Sequence, residues 1–160
     1  MRARIDALLL VFFVSGFGGL IYESVWSHYA RIFLGHAAYA QTLVLVVFIG
    51  GLAAGAAICA RFAQRLRNPL RTYAMVEGAI GLMAIAFHPV FTWAVDWSLA
   101  SLLPAACQPE SPFCPAQWIV SALLLAPQSI LLGATFPLMS SAVLRLRGEY
   151  PGHDIASLYF

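Results

Sequence analysis

The sequence predicts an all-α protein, a polytopic membrane helix bundle with about four transmembrane helices and both termini cytoplasmic. Three observations predict it. Of 160 residues, 61% are hydrophobic and only 10% charged, where a soluble domain averages roughly 25% charged residues. Four charge-poor runs approach the roughly 20 residues of helix that cross ~30 Å of hydrocarbon. The arginines fall between and beside those runs rather than among them. So few charges cannot cover a water-facing surface, and the apolar solvent has to be a lipid bilayer. A β-barrel reading fails because polar and apolar residues do not alternate with period two.

The first helix is expected at about 7–30. Ala7 to Tyr22 carries no charge, which is too short to span unless Glu23 lies inside the apolar slab. A cleaved signal peptide is the competing reading, because Arg2 and Arg4 precede an apolar stretch and Gly16-Phe17-Gly18 has cleavage-like small residues. The apolar character continues past those glycines through Leu20, Ile21 and Val25, so a retained helix is simpler. The second helix is expected at about 38–60, within the charge-free run Ala37 to Ala60, and the third at about 72–95. Gly78 to Val95 is free of charge but marginal in length unless Glu77 is also within the span. The fourth is expected at about 117–144, inside the charge-free run Pro115 to Leu144.

Orientation follows from nine arginines and no lysine. Arg2 and Arg4 precede the first span, Arg61, Arg65, Arg67 and Arg71 join the second and third, and Arg145 and Arg147 follow the fourth; Arg31 alone lies at the other side. Cytoplasmic loops carry the excess of Lys and Arg. Residues 61–71 are therefore expected to be a cytoplasmic loop, and 96–116 a periplasmic one, in a multi-pass protein of the bacterial inner (cytoplasmic) membrane. Clusters this short, lacking interleaved aromatics and flanking spans, have a topological explanation, and no nucleic-acid partner is expected.

The 96–116 loop is rich in proline, which blocks helix and favours turns, and Cys107 and Cys114 bracket its centre. On an oxidising side they can form a disulfide, worth about 2.5 kcal/mol by loop-closure entropy; two free thiols are the alternative. A metal site is not expected, since two cysteines without a nearby histidine supply too few ligands. Cys59 reads as a small packing residue.

Glu23 is the most informative single residue, because a carboxylate in a span costs several kcal/mol unless protonated, paired or facing a wet cavity. Tyr22, Ser27 and His28 surround it. Either the group forms a proton or cation site, or it anchors helices through a structural hydrogen bond; in both cases Glu23 should face the bundle interior and meet a polar partner, with Ser27 and His28 in reach. Glu77, six residues past Arg71, is a second candidate nearer the cytoplasmic headgroups. The first and third spans run in the same direction, so the two carboxylates should differ by about 15 Å in depth and cannot form one pair.

Gly51-x-x-x-Gly55 followed by Cys59, and Gly78 with Gly81, imply close helix crossings. Gly16, Gly18 and Gly19 could locally open the first helix, as broken helices do in transporters. Pro89, Pro127 and Pro137 remove backbone donors within spans, and Gln128 and Ser129 offer partners to the freed carbonyls. His88, beside Pro89, reads as a satisfied structural residue. No nucleophile triad, zinc-protease motif, P-loop or dinucleotide glycine motif is present, so no cofactor and no catalytic residue is assigned.

Ser15-Gly16-Phe17-Gly18-Gly19-Leu20-Ile21-Tyr22-Glu23-Ser24-Val25-Trp26-Ser27, Gly50-Gly51-Leu52-Ala53-Ala54-Gly55, Glu77-Gly78-Ala79-Ile80-Gly81 and Gly133-Ala134-Thr135-Phe136-Pro137 together resemble the N-terminal membrane part of the spermidine/spermine synthase-like integral membrane proteins, whose helices precede a soluble aminopropyltransferase-like domain. Two departures qualify what the resemblance implies. His28 stands where such proteins often carry arginine, and the sequence stops at Phe160, before a Rossmann-like domain would follow. The resemblance therefore implies a membrane module that anchors an enzyme partner or handles a small substrate, with aminopropyl transfer, if any, carried out by a soluble aminopropyltransferase-like chain. Other membrane subunits, or a homo-oligomer, are the alternative partners, in an accessory role or as a small oligomeric transporter.

Overall fold

The computed structural model describes residues 2–63, 66–107 and 114–147. Helix α1 spans Arg2–Leu34, α2 Ala37–Ala63, α3 Pro69–Trp97, and α5 Pro115–Arg147; between the last two, a π-helical turn at Ser98–Leu102 leads into a short α4 at Leu103–Ala106. Among the described residues, four helical rods are long and apolar enough to cross a membrane. Large apolar side chains such as Leu10, Phe13, Met75, Leu82, Ile85 and Leu123 are turned outward. An apolar exterior of this extent identifies a protein solvated by lipid.

Local sequence sets the ends of these rods. Gly35 takes φ of 77°, a left-handed conformation that costs glycine little, and its N–H donates to the Arg31 carbonyl at 3.0 Å, closing α1. Arg31 lies in that last turn, where a cation meets the negative end of the helix dipole. This gives a local reason for the one arginine that departs from the clustering. Pro69 opens α3 and Pro115 opens α5, at the position where a missing N–H removes no helical bond.

The rods exceed their sequence-based expectations at several ends, and the largest difference follows residue 95. Instead of entering a loop at 96, the chain stays helical to Ala106 by widening into a π turn. Leu103 N–H reaches back to the Ser98 carbonyl, and the buried Ser98 hydroxyl donates to the Ala94 carbonyl at 2.6 Å. Pro104 thus sits near the start of a new short helix, where its ring is tolerated. Cys107 and Cys114 are joined in a disulfide with Cα atoms 5.4 Å apart; residues 108–113 of that loop lie outside the described residues.

Helix α5 is the organising element: it packs against α1, α2 and α3, most closely against α2. Glycine makes that seam. A Cβ on Gly55 would run into the Ile130 carbonyl, and one on Gly133 would lie 2.6 Å from the Leu52 Cα, well inside van der Waals contact. The backbones approach because side chains are absent on both sides. Trp26, the largest fully buried side chain among the described residues, anchors a core with Phe48, Ile80, Leu125 and Leu132. A second cluster, Tyr73, Leu138, Met139 and Val143, fills the end nearer the arginines. Arg145 Nη1 donates to the Arg67 carbonyl at 3.1 Å, tying the end of α5 to the α2–α3 connection. At the other end Gln117 Nε2 donates to the Phe33 carbonyl at 3.4 Å, and Tyr39 and Trp118 bring their ring centres to 5.9 Å.

Two glycine expectations are corrected. Helix α1 runs unbroken through Gly16, Gly18 and Gly19, and Gly19 is a contact point for Leu132 at 3.6 Å. Gly78 and Gly81 form no close crossing: a Cβ on either would meet nothing within 4 Å.

Candidate functional site

Helices α1 and α3 approach each other less closely than α2 and α5, and long side chains bridge the gap. Toward the disulfide end the bridge is aromatic: Tyr29 packs edge-on against Phe87 and Phe91 with ring centres at 5.4 and 5.1 Å. The Tyr29 hydroxyl and His88 Nδ1 lie 2.8 Å apart, so His88 has a hydrogen-bonding partner across the helices.

Toward the arginine-bearing end the bridge is polar. Ser15 Oγ, on α1, donates to Glu77 Oε1, on α3, at 2.6 Å. Tyr73, one turn before Glu77 on the same face of α3, is 3% exposed. Its hydroxyl lies within hydrogen-bonding reach of both Glu77 and Ser15. Tyr22, seven residues after Ser15 and so on the same face of α1, lies within electrostatic reach of Glu77 and stacks on Trp26. The result is one carboxylate among three hydroxyl-bearing side chains, in a region otherwise lined by Leu8, Phe12, Val76 and Leu138. An intramembrane carboxylate so placed is a default candidate for a functional site.

Ser15 also borders an apolar cleft of about 370 Å³ between α1, α2 and α5, whose walls include Phe12, Leu52, Thr135 and Phe136. The cleft and the carboxylate therefore share one residue.

Of the residues singled out from sequence, Tyr22 and Glu77 belong to this cluster; Glu23, Ser27 and His28 do not. Glu23 is half-buried and its carboxylate makes no hydrogen bond or ion pair among the described residues, contrary to the expected polar partner. Ser27 Oγ, instead of meeting that carboxylate, donates to the Glu23 backbone carbonyl at 2.9 Å, the back-bond open to a serine in mid-helix. His28 is exposed and lies edge-on to Tyr29. Eight residues separate Ser15 from Glu23, about 12 Å along the helix, so Glu77 pairs with α1 well away from Glu23. Ser15 and Tyr73 were not singled out in the sequence. Their signals were present, as Ser15 and Tyr22 are two turns apart and Tyr73 and Glu77 one turn apart, but which helices face each other is not written in either helix.

Proline's expected partners are also redistributed. Ser129 Oγ donates to the Leu125 carbonyl at 3.0 Å, and Ser141 Oγ to the Pro137 carbonyl at 2.7 Å. Gln128 is 1% exposed with its Nε2 unpartnered among the described residues. Among those residues no three His, Cys, Asp or Glu side chains converge as metal ligands would. No protein-family model, no curated protein and no solved structure matches this chain.

Proposed function

We propose that this chain is a membrane module of a spermidine synthase-like system, lying in a bacterial inner membrane with both termini in the cytoplasm, and that it handles a small substrate at the Glu77 cluster. The observation that carries this reading is the Ser15–Glu77 hydrogen bond, which holds a carboxylate between two spans with two tyrosines around it. Nothing in the packing of α1 on α3 requires a carboxylate there, whereas a solute entering from the cytoplasmic side would meet it early in the bilayer. A soluble aminopropyltransferase-like chain is the enzyme partner the resemblance implies, docking at the arginine-bearing end.

The test is binding of radiolabelled spermidine to the purified chain in nanodiscs. Saturable binding that is lost in Glu77→Gln is the expected result; no saturable binding by the wild-type chain would remove the small-substrate reading.

A second reading, that of an accessory subunit of a larger membrane complex, is favoured by one observation: Gly78 and Gly81 leave room along α3 where a further helix could pack. Purification from native membranes under mild conditions separates the two, since an accessory role requires a stoichiometric membrane partner.

A further inference from the structure

The apolar cleft between α1, α2 and α5 has two hydroxyl-bearing residues in its wall, Ser15 and Thr135, and both hydroxyls have already committed their hydrogens. Ser15 Oγ donates to Glu77 Oε1 at 2.6 Å, and Thr135 Oγ1 donates to the Leu132 carbonyl of its own helix at 2.7 Å. Among the described residues every other side chain of the wall is apolar, Phe12, Phe48 and Leu52 among them. The side chains of the cleft therefore offer oxygen acceptors and no free donor. A hydroxyl that donates to a carboxylate is polarised toward accepting in turn, and the Glu77 charge stands one hydrogen bond behind Ser15.

We infer that this cleft binds a single-chain primary amine, an ammonium head on an apolar tail. The head donates to Ser15 Oγ, which brings its charge within two hydrogen-bond lengths, about 6 Å, of the Glu77 carboxylate. One ammonium balances one carboxylate, in surroundings that penalise any net charge. The tail lies along Phe12, Phe48 and Leu52. A volume of about 370 Å³ falls in the range of about 300–1,000 Å³ usual for small-molecule sites. Leu20, a wall residue, is 59% exposed, so the cleft is open on the lipid side and the tail enters from the bilayer. A phospholipid does not fit, because its ammonium lies beyond its phosphate, and bringing the one to Ser15 drags the other's negative charge toward Glu77 between apolar walls. The inference rests on the reading of the Glu77 cluster as a solute-handling site, and it names the substrate class: an amine of one charge with an apolar tail.

The experiment is binding of radiolabelled octylamine to the full chain in phosphatidylcholine nanodiscs, with empty nanodiscs as the blank. Expected is saturable binding above the blank, displaced by unlabelled octylamine and not by octanoate or octane. Affinity should fall by about tenfold or more in Ser15→Ala and in Glu77→Gln, the scale of a lost hydrogen bond to a charged group. A Cβ on Gly16, another wall residue, would meet nothing within 4 Å, so Gly16→Leu should fold and obstruct the cleft, abolishing binding. Binding should be unchanged in Asp96→Asn, at the exposed far end of α3. If Ser15→Ala fails to fold, Gly16→Leu carries the test. Absence of saturable wild-type binding, or binding undiminished in Gly16→Leu and in a folded Ser15→Ala, would overturn the inference. So would displacement by octane or octanoate, which marks a groove for any acyl chain, and displacement by phosphatidylethanolamine added to the nanodisc, which marks a lipid site. Spermidine binding without octylamine binding removes the cleft site and leaves the small-substrate reading standing; octylamine binding without spermidine binding supports the cleft site and removes the polyamine.

Discussion

At the scale of single residues, the two intramembrane carboxylates have exchanged roles. Glu23 stands in the segment with the strongest sequence signal, yet Glu77 has the partners, because Ser15 on α1 meets it while Ser27 turns back onto its own helix. The consequence for stability is specific. Replacing Glu77 with leucine removes the Ser15 bond, and the chain is expected to lose about 1–2 kcal/mol, read as a lower unfolding midpoint in detergent. Glu23→Leu removes no side-chain bond and deletes a costly half-buried charge, so its midpoint should be unchanged or higher. The opposite ranking would show that Glu23 finds a partner in the membrane. Glycines make the same point: Gly55→Val would force a branched side chain into the Ile130 carbonyl and should cost about 1–3 kcal/mol or more, whereas Gly78→Val meets open space and should fold normally. Comparing the yields of monodisperse protein from the two variants checks this.

At the scale of elements, the connection after α3 shows how local chemistry reshapes a boundary. Its prolines suggest a loop from residue 96, but Pro104 only forbids an ordinary helical bond to the residue four before it. A π turn that passes the bond from Leu103 to Ser98 lets the chain continue and place Cys107 beside Cys114. That disulfide closes a short loop, so its reduction should lower stability by about 2.5 kcal/mol. Intact mass with and without reduction before alkylation should show both thiols blocked only after reduction; thermal unfolding of the same two samples gives the cost. The α2–α5 seam is the other element-level result. Gly51-x-x-x-Gly55 was recognisable as a close-packing motif, and its partner on α5 is Ser129-x-x-x-Gly133, with Ser129 against Gly51 and Gly133 opposite Leu52, a small-residue spacing that did not stand out without a second glycine.

At the scale of the whole molecule, α5 is the helix around which the others are arranged, and its two ends tie to the α2–α3 connection and to the end of α1. The arginine-bearing ends therefore lie together. The expected orientation places that end in the cytoplasm. A cysteine introduced at Asn68 should then resist an impermeant thiol reagent in intact cells and react after permeabilisation, and strong reaction in intact cells would reverse the topology.

Composition, run length and arginine placement were by themselves enough to determine an all-helical bundle with four apolar spans, because the bilayer imposes one requirement on every residue of a span, and that requirement can be read one segment at a time. The Cys107–Cys114 pairing was legible for a similar reason, being local. Which carboxylate acquires partners and which glycines make a seam were decided only by tertiary structure. Each depends on which face of one helix meets which face of another, and in a chain apolar on nearly every face, hydrophobic periodicity carries little of that information.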